Sequence, residues 1–380
     1  MGSRYISNTF QTLLSPTHRP EEYLISALED ILTNYPPQQS YSSHNLAGLW
    51  SGPTGIAYLF LQVARRKPHL KVAGHHALTW AKRYIAADRG HVKFTGSGCG
   101  IHEERLVYYA VRAAITTEEE DVRKFVADVE RSLEVTGQQG YPFEVLYGWA
   151  GCLYLVRLVK HWVPGAGELV KDPVDEIVSL IMRAGPEWKW HGKRYLGAVH
   201  GDIGIVTQLV LTKPEVARDL EPVLARLLDI QQDDGNWPSS WGKTRSQGGL
   251  VQVCHGAAGY VHSLLAIREH FPGLQGRIDE ALRKGRECIW REGLLKKEPS
   301  LCHGIFGNAL ALEPGQRRNH FLAIATPVTM AELKKKDHTL FEPANYGKPY
   351  ATLTGYSPSA AWAWTVWGED APGLLGYNDV

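Results

Sequence analysis

The sequence predicts an all-α fold of stacked helical hairpins, and three observations carry that reading. A G-x-x-G motif recurs at Gly52, Gly148, Gly201, Gly256 and Gly304. Each copy opens an apolar run at helical spacing, such as Ile56 to Leu61, Cys152 to Val156, Ile205 to Val210 and Tyr260 to Leu265. β signals are scarce, because no hairpin dipeptide sits between alternating runs.

The starts of these motifs are 96, 53, 55 and 48 residues apart, and the first gap is close to two periods. A further unit is therefore expected near residue 100, where Gly96-Ser-Gly-Cys-Gly100 stands in reduced form. A seventh, degenerate unit is expected around Leu340 to Gly355. Between the motifs lie amphipathic segments with charged faces, including Glu120 to Glu134 and Val223 to Ile230. A period of about fifty residues fits one helical hairpin per repeat, with neighbours covering each other's apolar faces. If every G-x-x-G sits at the same end, the helix N-termini converge on one face. Their free N–H groups and positive dipole ends then favour a thiolate, carboxylate or enolate. The alternative is that the glycines only relieve crowding between packed helices.

Composition narrows the function. A chain of 380 residues can bury about 75% of its unfolded surface, so a large core is available. Forty-one basic residues stand against 40 acidic ones, a balance that offers no footprint for nucleic acid or an anionic membrane. No run approaches eighteen apolar residues, so no transmembrane helix is expected. The stretch Met1 to Phe10 has no apolar signal region, and Ile6 stands where a myristoylation site needs Ser or Thr. Five cysteines, at 99, 152, 254, 288 and 302, point to a reducing, cytoplasmic compartment with thiols and a metal, not a disulfide framework.

Two Cys-His-Gly triplets carry the chemistry, one in Val251 to Gly259 and one in Leu301 to Gly307. Cys254, Cys302 and His303 offer two thiolates and an imidazole, a zinc set with one position open if no fourth ligand joins. No C-x₂₋₄-C clip exists to build a closed structural site, so ligands from two distant segments suggest a catalytic Zn2+. The competing reading takes both cysteines as small buried apolar residues.

These residues carry a family resemblance. The chain resembles the lanthionine synthetase C-like (LanC-like) proteins, and the eukaryotic glutathione transferase branch more than the bacterial lantibiotic cyclases. The matching stretches are Gly48 to Tyr58, Glu144 to Gly151, Trp190 to Gly201, Gly235 to Ser240, Val253 to Gly259 and Leu294 to Gly304, which cover most of residues 1 to about 310. G-x-x-G alone is unspecific; the ordered set, with W-H-G-K-x-Y-L-G-A-x-H-G and both C-H-G triplets, is very specific.

The resemblance implies one α/α toroid domain over residues 1–380, a double ring of about seven inner and seven outer helices with zinc at one mouth. It implies an atypical C-terminal repeat from about residue 312. Carried onto this chain, the zinc ligands fall on Cys254, Cys302 and His303, and the proton donor or base on His200. Glu144 matches a carboxylate near the active site, or is a surface or helix-capping Glu. His255 either faces the mouth as an acid/base group or caps and packs. Arg4, in an R-x-x-x-N start, and Lys297, five residues before Cys302, match glutathione-contacting positions, or are solvated surface cations.

The implied activity is conjugate addition of the glutathione thiol to dehydroalanine or dehydrobutyrine in a peptide or protein. The alternatives are a lanthionine-forming peptide cyclase and a non-catalytic zinc protein that binds glutathione or a partner. A glycoside hydrolase would need a carboxylate pair at the mouth, from Asp202, Glu144 or Asp234. Several departures from the family pattern are expected to alter the mouth. The run after Gly307 shortens before Pro314, Pro343 and Asn345 replace small residues, Ala360 to Trp367 differs from the usual ending, and Trp149 stands where that branch commonly has Arg.

Overall fold

The computed structural model describes residues 3–90, 92, 98–134, 140–243, 249–343 and 350–380. Among these, the inner helices are α2 (Pro53–Arg66), α4 (Glu104–Thr116), α6 (Trp149–Trp162), α9 (Asp202–Thr212), α11 (Ala257–Ile267), α13 (Ile305–Ala311) and α16 (Tyr356–Val366). Each touches the next, and α16 touches α2, so the seven close a ring. The outer layer is α1 (Pro20–Asn34), α3 (Ala77–Ala86), α5 (Glu119–Glu134), α8 (Lys171–Ala184), α10 (Ala217–Asp229), α12 (Gln275–Glu292) and α14 (Gln316–Ile324). Every outer helix packs chiefly on one inner helix, with α1 on α16 and the rest on the inner helix that precedes them. This is the α/α toroid. Two additional helices, α7 (Ala166–Leu169) and α15 (Pro327–Lys336), decorate the outside.

The sequence explains the two layers. Inner helices bury most of their surface, and α9 is buried all round from Asp202 to Val210, whereas α4 keeps Arg105, Tyr108, Tyr109 and Arg112 half-buried. Outer helices carry one apolar stripe: α5 buries Val122, Phe125 and Val129 and exposes Glu119, Arg123 and Lys124. The one described sheet is a two-residue hairpin, β1 (Lys71–Val72) with β2 (His75–His76). Its turn places Ala73 and Gly74 at positive φ, with no Asn-Gly or Asp-Gly to announce it.

The glycine motif relieves crowding within each unit first and against the neighbouring unit second. Its first Gly is the N-cap of α2, α6, α9, α11 and α13. At its second Gly, a Cβ would lie 1.8–2.1 Å from the carbonyl oxygen six residues earlier, at Leu49, Val145, Ala198, Val253 and Leu301. The loop entering each inner helix therefore folds back onto the first turn of that helix, and only a hydrogen fits there. Gly151→Ala is expected to destabilise the fold by roughly 1–3 kcal/mol, read from the midpoint of denaturant unfolding.

Two units depart from the expected motif. The inner helix near residue 100 starts at Glu104 with Glu103 as N-cap, not at Gly100. Its glycines act earlier in the loop: a Cβ on Gly98 or Gly100 would meet the carbonyls of Tyr147 and Leu146 at 2.5 and 2.6 Å. Gly96 and Ser97 lie outside the described residues, as does Asn345. The seventh inner helix is the divergent tail itself, since α16 starts after Gly355 and holds Pro358 where the second Gly would be. Trp149 is buried against Tyr141, at 5.7 Å between ring centres, so this departure is absorbed by packing rather than by the accessible mouth.

Backbone hydrogen bonds lace the loops at the helix N-termini around the ring. Cys254 N–H donates to Cys302 O, Cys302 to Leu353 O, Leu353 to Trp50 O, Leu49 to Ile101 O, Ile101 to Val145 O and Val145 to Val199 O. Below them, residues 374–379 fill the axis of the ring. Asp379 accepts from Tyr58, Gln62 and Tyr154, and the Tyr377 carbonyl accepts from Arg157 and Gln208. Leu374, Leu375 and Tyr377 share a small apolar void with Cys302, Leu301 and Trp50, and so form the floor beneath one mouth. No described helix is long and apolar enough to cross a membrane.

Candidate metal centre and its mouth

The residues just before the inner-helix N-caps are Ser51, His102, Tyr147, His200, His255, His303 and Thr354, and ring contacts link His102 to Tyr147 and His200 to His255. Cys254 and Cys302 stand one position earlier in two neighbouring loops. Fixing those loops is the work of distant residues. Asn236 Oδ1 accepts from Ala257 N–H at 2.8 Å and caps α11, while its amide donates to Leu250 O. Trp237 stacks on Tyr260 at 4.2 Å, which presses the same segment onto α11. Asn308, in the first turns of α13, donates to the carbonyls of Val251 and Gly293. The Gly235 to Ser240 stretch is therefore scaffold for the metal loop.

Cys254, Cys302 and His303 come together, with one ligand atom from each within 4.8 Å of the others. All three are buried, at 8%, 8% and 6% exposure. Among the described residues no further His, Cys, Asp or Glu joins this cluster. The hydrogen bond from Cys302, with help from His303, pulls the Cys254 thiol well below its ordinary range. A thiol already inclined to ionise, a second thiol and an imidazole at this spacing fit a soft divalent cation. None of the five described cysteines is in a disulfide.

The mouth adds polar groups beside the cluster. Glu144 is 1% exposed, so it is not a surface Glu, and the amides that donate to it, those of Leu146 and Tyr147, precede Gly148, the N-cap of α6. Its Oε2 accepts from Leu146 N–H at 3.0 Å and meets His200 Nδ1 at 2.7 Å, and its Oε1 accepts from Tyr147 N–H. A carboxylate that accepts from both backbone amides also accepts from His200, so Nδ1 carries the hydrogen and Nε2 is left for other work. His255 lies 5.9 Å from His200 between ring centres, and burial holds it below the ordinary imidazole range.

Arg4 and Lys297 are brought to the same side. Tyr5 pairs antiparallel with Leu295, Lys296 N–H donates to Arg4 O, and Lys297 pairs with Glu342 on the other edge. Both cations are exposed; the bond to Cys254 and burial hold the Cys302 thiol well above its ordinary range, and the Lys297 charge offsets part of that rise. Asp202, by contrast, is fully buried and accepts from Arg194 Nε at 2.7 Å. It cannot serve in an open carboxylate pair.

Three residues escaped the sequence reading. Gln252 Nε2 donates to Cys254 Sγ at 2.9 Å. Lys243 stands close enough to His255 to help lower its pKa. Trp190 lies flat on His200, 4.6 Å away and 12° from parallel. Gln252 was within reach, two residues before a ligand. The others meet the site only through the fold.

The comparisons follow this geometry. The family model described as lanthionine synthetase C-like protein matches residues 47–319. The chain is 29% identical over 194 residues to "Glutathione S-transferase LANCL1" of Danio rerio, an alignment covering 46% of this chain and 47% of that protein. It is 30% identical over 190 residues to "LanC-like protein GCL1" of Arabidopsis thaliana, covering 46% and 42%. The aligned part thus spans less than half the length of each of these relatives. Among solved structures, "Nisin cyclase" superposes with a TM-score of 0.58 at 12% identity over 94% of both chains, a likeness of fold. Toroid, motif order and matched length lead to one statement: this chain belongs to the lanthionine synthetase C-like family.

Proposed function

We propose that the chain is a zinc-dependent thiol-addition enzyme that joins glutathione to dehydroalanine or dehydrobutyrine residues of a peptide or protein. The observation that carries this reading is the Cys254–Cys302–His303 cluster set in one mouth with the Glu144–His200 pair. Zinc held by those three residues would lower the pKa of an incoming thiol, so that it is present as thiolate at neutral pH.

The remaining work falls to the chain. Arg4, Lys297 and Lys243 receive the carboxylates of glutathione. The thiolate forms the C–S bond at the β-carbon, and the π pair moves onto the α-carbon and its carbonyl. His200 Nε2 takes the proton that the thiol releases and then gives it to the α-carbon, while Glu144 holds Nδ1–H and balances the charge of the ring between the two steps. Helix N-termini around the mouth favour the transient negative charge. His255, next to a ligand and poor in protons, serves as the second polar wall. The name of the zebrafish relative, a glutathione S-transferase, supports glutathione as thiol, and described cysteines outside any disulfide suit the cytoplasm.

The test incubates purified zinc-loaded protein with glutathione and a dehydroalanine peptide and follows products by mass spectrometry. A glutathione adduct formed by the wild type and absent with Cys302→Ala supports the reading. A ring formed within a Cys-containing dehydropeptide, with no glutathione adduct, would assign the chain to cyclases. Zinc binding without either product would make it a binding protein. Separately, Gln252→Leu removes the donor to Cys254 and is expected to weaken zinc binding about 10–100-fold in a chelator competition, with the unfolding midpoint nearly unchanged.

A further inference from the structure

The His200 ring has two handles, and the proposed chemistry uses only one of them. Glu144 holds Nδ1 at 2.7 Å. The second handle is Trp190, whose indole covers one face of the imidazole at 4.6 Å and 12°.

The way Trp190 is presented is specific. It stands at one end of a two-residue turn closed by Trp190 N–H to Lys193 O at 2.9 Å and Lys193 N–H to Trp190 O at 3.0 Å. The turn residues His191 and Gly192 have φ of 49° and 72°, the left-handed pair that a tight hairpin turn needs. The indole also stacks with Tyr147, 5.9 Å away and 28° from parallel, and Tyr147 meets His102 edge-on at 5.0 Å. Tyr195 closes the corner, 5.9 Å from Trp190 and 6.4 Å from His200. His200 is thus the inner member of an aromatic stack. A rotation about its Cβ–Cγ bond would break both the Glu144 bond and the stacking.

We propose that Trp190 is a positioning residue that fixes the direction of the His200 Nε2 proton and thereby the configuration of the new α-carbon. This rests on the thiol-addition reading. In that step Nε2 of His200 takes the proton that the thiol releases, sulfur bonds the β-carbon, and the α-carbon takes that one proton back from Nε2. If that proton comes from one fixed direction, one diastereomer forms. If His200 swings free, or water reaches the carbanion, both faces are protonated. A planar indole against one ring face excludes water there and leaves a single approach.

Trp190→Ala and Trp190→Phe are compared with wild type in the zinc-loaded protein, using glutathione and a dehydroalanine peptide. The wild type is expected to give a single diastereomer. Trp190→Ala should give a mixture, with kcat down about ten- to a hundredfold and KM for glutathione unchanged. Trp190→Phe, which can still stack, should keep the single product. One diastereomer from Trp190→Ala at wild-type kcat overturns the proposal. So does a loss in both variants that tracks falling zinc content and a lower unfolding midpoint, because Trp190 would then act only through the fold.

A second readout does not depend on the reaction. Nitrogen NMR of histidine-labelled protein should show His200 as one tautomer in the wild type and an averaged ring in Trp190→Ala. An unchanged tautomer in that variant overturns the proposal. If the wild type makes no adduct, the thiol-addition reading fails while this NMR result still decides whether Trp190 holds the ring.

Discussion

Replacing Cys302 with alanine is expected to strip zinc from the protein and to abolish adduct formation. The substitution removes one of three protein ligands and also the hydrogen-bond partner that draws Cys254 toward thiolate. Structural zinc sites hold their ion with about 10–16 kcal/mol from four ligands, so one ligand is worth roughly 3 kcal/mol. That is a loss of about a hundredfold or more in affinity. Elemental analysis of the purified variant should find well under one zinc per chain after mild chelation, against one in the wild type. Cys288→Ala is the control, because Cys288 is equally buried and lies outside the cluster. It should keep both zinc and activity. The Cys302 side chain is small and borders an existing void, so the toroid should survive the substitution.

His200→Ala should separate metal binding from turnover. The residue lies outside the three-ligand cluster, so zinc content should stay at the wild-type level. Turnover should fall by about 10²–10⁴, the usual worth of a positioned proton donor. KM for glutathione should move little, since the cations that receive its carboxylates are untouched. Glu144→Gln should cost less, through the orientation of His200, but it will also disturb the loop. Two backbone amides, of Leu146 and Tyr147, donate to this carboxylate, and an amide side chain can accept comfortably from only one side. A His200→Ala variant with full turnover would remove the enzyme reading in its present form and favour a binding role.

The sequence was informative where a residue's reason is local. The G-x-x-G glycines are required by a carbonyl six residues earlier, a constraint that repeats with each unit and so shows as a period. Cys254, Cys302 and His303 were legible because thiols beside His-Gly have few other uses. The inner helix at Glu104 was harder to place, since its glycines serve the approach to the neighbouring loop and not the helix start. The tail was read as a divergence, although α16 completes the ring and residues 374–379 fill its axis. Nothing local marks Asp379 as the partner of Tyr58 and Tyr154, which lie more than two hundred residues away. Trp190 and Lys243 reach the mouth through tertiary placement alone. Glu144 was legible as a candidate, but its role required seeing which imidazole it holds.

The central claim is that three side chains grip an ion and leave one position for an incoming sulfur. X-ray absorption at the zinc edge reads this directly, by counting sulfur neighbours at about 2.3 Å with and without glutathione. The account predicts two sulfurs in the free protein and three once glutathione is added. A count that stays at two with glutathione bound, or a free protein whose zinc already has four protein ligands, would contradict it.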